Sequence, residues 1–238
     1  MIEFSKIKIV LIETSHPGNI GSAARAMKTM GFSNLFLVNP KCEINEVSYA
    51  MASNAGEILD TLVISDDLLN VIADCNYIIG ATARKRDIPI EILNPRDIAK
   101  KINEDLYGNI AILLGNEARG LTNEQLSLCS IGLHISSNIN YTSLNIASSL
   151  QIILYEILFE SQNISSNINK MDSKNLASND KLVGMLNHMN KVLKDISFIK
   201  DDRLMLTRKI NHIFKKANLS EEEINILRGI LTAIENHS

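Results

Sequence analysis

The chain has 238 residues, 45% of them hydrophobic and 21% charged, with a formal net charge of −3. That excludes wholesale disorder and suits one large domain, or one of average size with a small companion. Tryptophan is absent and aromatics reach 5%, so the core must be aliphatic and a carbohydrate-stacking surface is disfavoured. Cys42, Cys75 and Cys129 are odd in number and far apart, and no Cys-x-x-Cys occurs. Neither a disulfide framework nor a metal site is expected, and a reducing, cytoplasmic setting fits best. No apolar run reaches the roughly 18 residues of a membrane span. The charged N-terminal stretch does not read as a signal peptide, so no membrane partner is expected. Residues 181–238 carry a charge of +3 and residues 1–180 one of −6, so the basic excess is C-terminal.

The first 160 residues alternate short apolar runs with helical periods. Strands are predicted at Ile7–Ile12, Leu35–Val38, Leu62–Ile64, Tyr77–Gly80 and Ile110–Leu114. They are short, continuous and bounded by Gly, Asn or Pro, as strands buried on both faces should be. Ile20, Ala23, Ala24, Met27 and Met30 form a helical stripe that begins near Asn19 and stops at Gly31. Val71 marks another helix, and Ile98 with Ile102 a third. Thr122 and Gln125 form a capping box for a short helix. The alternation predicts an α/β domain with a mostly parallel sheet over 1–160. Residues 161–180 are rich in Ser and Asn and read as a flexible linker. Residues 181–238 read as three short helices. Their faces are Leu182/Leu186/Met189/Leu193, then Leu204/Ile210/Ile213/Phe214, then Ile224/Leu227/Ile230/Leu231/Ile234. The last follows a capping box of Ser220 and Glu223. Met27, Met30, Met185 and Met189 read as core filler.

Four segments could carry chemistry. Thr14–Arg25 runs from a strand through Pro-Gly into a helix whose free amides attract anions; on spacing alone it reads first as an ordinary connection with an exposed Arg25. Ile110–Thr122 ends a buried strand in a loop where Gly115 and Gly120 flank Asn116, Glu117 and Arg119. Glu117 and Arg119 could simply pair in solvent, but such a loop is where α/β folds hold ligands. In the third segment, Asn140 or Thr142 could cap the apolar helix that follows, leaving Ser143 and Asn145 in its first turn. In Ala81–Arg86, adjacent cations suit either solvent or a phosphate.

The first three segments, in this order and separation, resemble the three signature motifs of the SpoU/TrmH class of SPOUT RNA methyltransferases. The similarity is greatest to its TrmJ branch, tRNA ribose 2′-O-methyltransferases acting on nucleotide 32 of the anticodon loop. It rests on IVLIETSHPGNIGSAARAMKTMGFSNLFLVNP, TARKR, GLTNEQL, SLNIA and EINILRGILTAIE, and spans nearly the whole chain except the Ser/Asn linker. Asn116 departs from the branch, which commonly shows Arg there.

The resemblance implies a deep trefoil knot in the sheet, S-adenosylmethionine as cofactor, and a homodimer whose cleft is built from both subunits. Carried over, the cofactor contacts fall on Ala81, Thr82, Ala83, Leu114, Gly115, Gly120, Ile135, Thr142, Ser143 and Leu144. Arg25 matches the catalytic arginine, and Asn19, Glu117, Ser143 and Asn145 the polar cleft positions. Arg84, Arg86 and Arg119 match RNA-contacting positions, with Lys200, Arg203, Arg208, Lys209, Lys215 and Lys216 as a tRNA grip on the terminal helices. The implied activity is methyl transfer to the ribose 2′-hydroxyl of C or U at position 32 of tRNA. The alternatives are an rRNA target, a non-catalytic RNA-binding homologue, and a nucleotide-dependent enzyme on an ordinary doubly wound fold, against which the missing G-x-G-x-x-G weighs.

Overall fold

The computed structural model describes residues 3–83, 90–106, 108–138, 144–162, 176–199 and 204–236. It separates into two compact units, one built from Met1–Ile72 with Tyr77–Asn169, the other from Ala73–Asn76 with Lys170–Ser238.

The first unit holds a sheet of seven strands: β1 (Ile7–Ile12), β2 (Leu35–Val38), β3 (Val63–Ser65), β4 (Tyr77–Ala81), β5 (Glu91–Leu93), β6 (Ile110–Leu114) and β7 (Ile131–Leu133). Their order is β3-β2-β1-β6-β4-β7-β5, and every pairing is parallel. Parallel pairing requires crossovers, and helices supply them: α1 (Pro17–Met30), α2 (Glu46–Ala52), α3 (Gly56–Thr61), α4 (Leu68–Ile72), α5 (Pro95–Glu104), α6 (Asn123–Ser127) and α7 (Ile146–Gln162). α1 packs on α2 and α7, and α7 packs on α5. Leu150, Ile153, Leu154 and Ile157 of α7 are fully buried, each worth roughly 1.5–3 kcal/mol relative to exposure.

The expected strands β1, β2 and β6 have the predicted bounds, and β4 is one residue longer. β3 is shifted one residue and is not buried on both faces, because it is an edge strand with Val63 and Ile64 exposed. β5 and β7 were not predicted; three residues give too little sequence to show a period. Lys8 interrupts β1, its ammonium satisfied by the Val71 carbonyl at 3.0 Å and lying over the Phe36 ring. Helix α1 begins at Pro17, two residues before the predicted start, because His16 Nδ1 accepts from Gly18 N and caps it. It ends as expected at Gly31, which takes the left-handed conformation at φ 81°. Met27 is buried as expected, whereas Met30 is half-exposed at the last helical position. The Thr122–Gln125 capping box forms as read. Most of the expected linker lies outside the described residues; α7 runs on to Gln162 and the next helix begins at Asn179.

The second unit is helical: α8 (Asn179–Asp195), α9 (Leu204–Lys216) and α10 (Glu221–Glu235). Met185, Leu186, Met189, Val192, Ile224 and Leu231 form its core, with Leu182, Leu193, Ile210, Phe214 and Leu227 packed against it. Three expected core residues are exposed instead: Ile213, Ile230 and Ile234. On α10 the apolar residues surround more of the helix than one small core can cover, so the half holding Ile224, Leu227 and Leu231 wins. The Ser220–Glu223 box caps α10 as predicted. Residues 73–76 join this unit through Asn76 Nδ2, which donates to the Leu176 and Ala177 carbonyls, and through Asn179 N to Cys75 O.

Candidate active site

The carboxyl ends of β1, β4, β6 and β7 all release their chains on the same edge of the sheet, where open parallel sheets place ligands. A cleft of about 180 Å³ opens there. Its lining includes Ala81, Thr82 and Ala83 around the end of β4, Leu114 through Leu121 around the end of β6, Leu133 and Ile135 around the end of β7, and Leu144 before α7. Every expected cofactor residue within the described residues is on that lining; Thr142 and Ser143 lie outside them, as do Arg84 and Arg86. Leu121, Leu133, Ile146 and Ser149 also line the cleft and were not singled out, since only tertiary folding brings them there.

Gly115 and Gly120 serve the 115–121 loop differently. A Cβ on Gly115 would lie 2.5 Å from the Gly120 carbonyl oxygen and closer still to Gly120 C and Leu121 N. The loop therefore folds back through space that only glycine leaves free, and Gly120 N donates to Asn116 O at 2.7 Å across it. Gly120 instead supplies a positive φ of 68° and would leave a Cβ in open space. Opposite the loop, Thr82 N donates to Leu133 O, and His134 Nδ1 lies 3.0 Å from Thr82 O, which joins the walls from β4 and β7.

The polar candidates form a chain. Glu117 accepts from Ser15 N at 3.1 and 3.3 Å, from Ser15 Oγ at 2.9 Å and from Asn19 Nδ2 at 2.9 Å. Asn19 Oδ1 accepts from Asn145 Nδ2 at 2.9 Å. Asn145 Oδ1 in turn accepts from Ala147 N and Ser148 N, so Asn145 caps α7 from outside instead of lying in its first turn. Partial burial pushes the Glu117 carboxyl up, but hydrogen bonds from Asn19, its own main chain and Ser15 together bring it below the ordinary carboxylate value. Glu117 is thus a fixed, hydrogen-bonded anion. Burial, with Glu117 as a lesser cause, pushes the Cys42 thiol up.

Glu117 and Arg119 do not pair. Arg119 reaches Glu13 at 3.7 Å, because Glu117 is turned to the α1 start. Asn116 supports that arrangement, donating to Glu13 O at 2.8 Å and accepting from Ala118 N and Arg119 N. Ser15, Glu13 and the role of Asn116 were missed by sequence reading; a serine before a helix cap gives no signal of a carboxylate 102 positions away. Arg25 is exposed on α1 and is not on the cleft lining. At 3.6 residues per turn it stands about 120° around the helix from Asn19.

In the helical unit, Arg208, Lys209 and Lys216 are exposed on α9 and Lys215 is half-exposed. Burial first, then the nearby Lys216 and Lys215, hold the His212 imidazole below its ordinary value. Lys200 and Arg203 lie outside the described residues. Among the described residues no helix is long and apolar enough to cross a membrane, and no cluster of three His, Cys, Asp or Glu could hold a metal ion.

This architecture is shared with known proteins. The chain is 38% identical over 235 residues to the tRNA (cytidine/uridine-2′-O-)-methyltransferase TrmJ of Sodalis glossinidius, covering 97% of this chain and 91% of that one. Its structure matches the crystal structure of TrmJ from Z. mobilis ZM4 with a TM-score of 0.83 at 27% identity, covering 96% of this chain and 98% of that one. A more distant fold neighbour is the SpoU methyltransferase AviRb from Streptomyces viridochromogenes, solved in complex with AdoMet. It has a TM-score of 0.52 at 21% identity, covering 70% of this chain and 61% of that one. The sequence pattern of the SpoU rRNA methylase family matches residues 6–155, and that of the TrmJ C-terminal domain matches residues 180–238. By these two matches the chain belongs to the SpoU methylase family, in the form that carries a TrmJ C-terminal domain.

Proposed function

We propose that this protein methylates the ribose 2′-hydroxyl of C or U at position 32 of the tRNA anticodon loop, with S-adenosylmethionine as donor. The observation that carries the reading is the cleft at the strand ends, joined by the Glu117–Asn19–Asn145 chain to the helix that bears Arg25. The cleft fits the donor: Leu114, Leu121, Leu133 and Ile135 offer apolar walls for a base, and main chain at 81–83 and 115–120 offers polar edges. When bound, the donor supplies a methyl group already activated on a sulfonium.

The residues of this chain then have three tasks. The 81–83 and 115–121 segments, with Thr142 and Ser143, hold the donor. Arg25 orients the ribose hydroxyl and its neighbouring phosphate, so that the hydroxyl proton leaves to solvent as the oxygen takes the methyl group; a guanidinium is a poor base, so orientation is its main contribution. Glu117 fixes the loop through the hydrogen bonds its oxygens accept from Ser15 and Asn19. Arg84, Arg86 and Arg119, with Arg208, Lys209, Lys215 and Lys216, grip the tRNA backbone, which makes residues 181–238 a substrate-binding extension beyond the 161–180 linker.

The position of Arg25 outside its own cleft supports a homodimer in which each cleft is completed by the other subunit. Ile152, Tyr155 and Phe159 support it further, forming an exposed apolar stripe on α7 with the two rings stacked at 6.1 Å. The trefoil knot belongs to the same reading, and β6 lying between β1 and β4 supports it. A tRNA substrate implies a cytoplasmic enzyme. The TrmJ C-terminal pattern favours tRNA over rRNA as target. The test is to map 2′-O-methylation in RNA from cells with and without the protein; loss at tRNA position 32 is expected, and loss confined to rRNA would replace the target.

A further inference from the structure

Glu117 stands in the loop that lines the cleft, yet the four side-chain hydrogen bonds it makes to other residues run to residues 15 and 19 at the entry to α1. Ser15 supplies three of them, from its main-chain N–H and its hydroxyl. The turn that presents Ser15 is itself held from the loop. Glu13 keeps a φ of 53°, which L residues rarely adopt, while its carbonyl accepts from Asn116 and its carboxylate meets Arg119. Two side chains of the loop, Asn116 donating and Glu117 accepting, therefore fasten it to main chain of a turn some hundred positions away. Ser15 is exposed and outside the apolar core, so removing its hydroxyl removes little packing.

We infer that Ser15 is a positioning residue for methyl transfer: its hydroxyl and N–H clamp Glu117 and so hold the cleft-lining 115–121 loop against the start of α1. The inference rests on the reading of the cleft given above. Ser15 touches neither reacting atom; it acts through Glu117. Without the hydroxyl, Glu117 Oε2 keeps only the main-chain N–H, and the loop loses one of its ties to α1.

The experiment compares full-length wild type with Ser15→Ala, Ser15→Thr, Glu117→Gln and the Ser15→Ala/Glu117→Gln double variant. Calorimetry with S-adenosylhomocysteine, turnover on tRNA at saturating donor, and amide hydrogen exchange over residues 115–121 are read for each. Ser15→Ala should lower turnover roughly tenfold, as expected for a hydrogen bond to a charged group. It should leave the KM for tRNA within about twofold and speed exchange in the loop. Ser15→Thr should restore both, and the double variant should be no worse than Glu117→Gln alone. Additive losses in the double variant, failure of Ser15→Thr to restore turnover, or wild-type turnover in Ser15→Ala each overturn the inference. A wild type that neither binds the probe nor methylates tRNA overturns the functional reading instead. In that event the exchange measurement still decides: unchanged loop protection in Ser15→Ala overturns the clamp.

Discussion

Gly115→Ala and Gly120→Ala alter the same loop by one methyl group and should differ sharply. At Gly115 the new Cβ would meet main-chain atoms of Gly120 and Leu121, the nearest carbonyl oxygen at 2.5 Å. Ordinary contact begins near 3.4 Å, so the returning arm of the loop must retreat by about 1 Å, the scale of misplacement that costs catalysis heavily. Such a shift also stretches the 2.7 Å Gly120 N to Asn116 O bond. Overpacking and a weakened hydrogen bond together come to roughly 2–4 kcal/mol. If the bound donor requires the closed loop, its Kd rises about thirty- to a thousandfold. At Gly120 the methyl would enter open space, and only the left-handed φ of 68° opposes it, at a cost of about 1–2 kcal/mol and a Kd rise of roughly five- to thirtyfold. Titration calorimetry with S-adenosylhomocysteine reads both, with circular dichroism to establish that each variant is folded. A folded Gly115→Ala protein that binds as tightly as Gly120→Ala would refute the assignment of this loop as the donor wall.

Arg25→Ala should leave donor affinity within about threefold and reduce methylation of tRNA by at least roughly a hundredfold, because Arg25 is off the cleft lining; single-turnover transfer of labelled methyl checks this. Lys209→Ala and Lys216→Ala should each weaken tRNA binding and reduce the slope of log K against log salt by roughly one unit, measured by filter binding across a salt series. Glu235 joins α10 to α8 through His188 Nε2 and Lys191 Nζ, both at 3.0 Å. Hydrogen bonds first from His188 and then from Lys191 hold its carboxyl below the ordinary value. A carboxylate lowered in the folded state stabilises above its unfolded pKa and loses that contribution as pH falls through the folded value. Melting of wild type and Glu235→Gln should therefore differ near neutrality, with the difference shrinking as pH falls below about 4.5 and vanishing below the folded value.

Most of the frame was legible because it follows from local chemistry. β1, β2 and β6 are continuous apolar runs with clean edges, and the boxes at Thr122 and Ser220 announce helix starts within four residues. β5 and β7 were not legible, since three residues of strand gain their identity from neighbours in the sheet. The exposed face of α10 was misread for a related reason: Ile230 and Ile234 satisfy a helical stripe, but the core of a three-helix unit is too small to cover them. At the site, the motifs marked the loops and many of the residues that line the cleft. The clamp on Glu117 was invisible, because Ser15 and Glu117 meet only once β1 and β6 pair in register at Leu11 and Leu114. The alternative reading of Glu117 and Arg119 as a solvated pair failed for the same reason, as sequence proximity says nothing of the partners that folding brings.

The most direct measurement incubates the purified protein with tRNA and methyl-labelled S-adenosylmethionine, then digests the RNA and locates the label. Label recovered as 2′-O-methylcytidine or 2′-O-methyluridine at position 32, and lost in Arg25→Ala, is the predicted result. Label on a base atom, or none in tRNA while the donor is bound, would contradict ribose methylation of tRNA by this cleft.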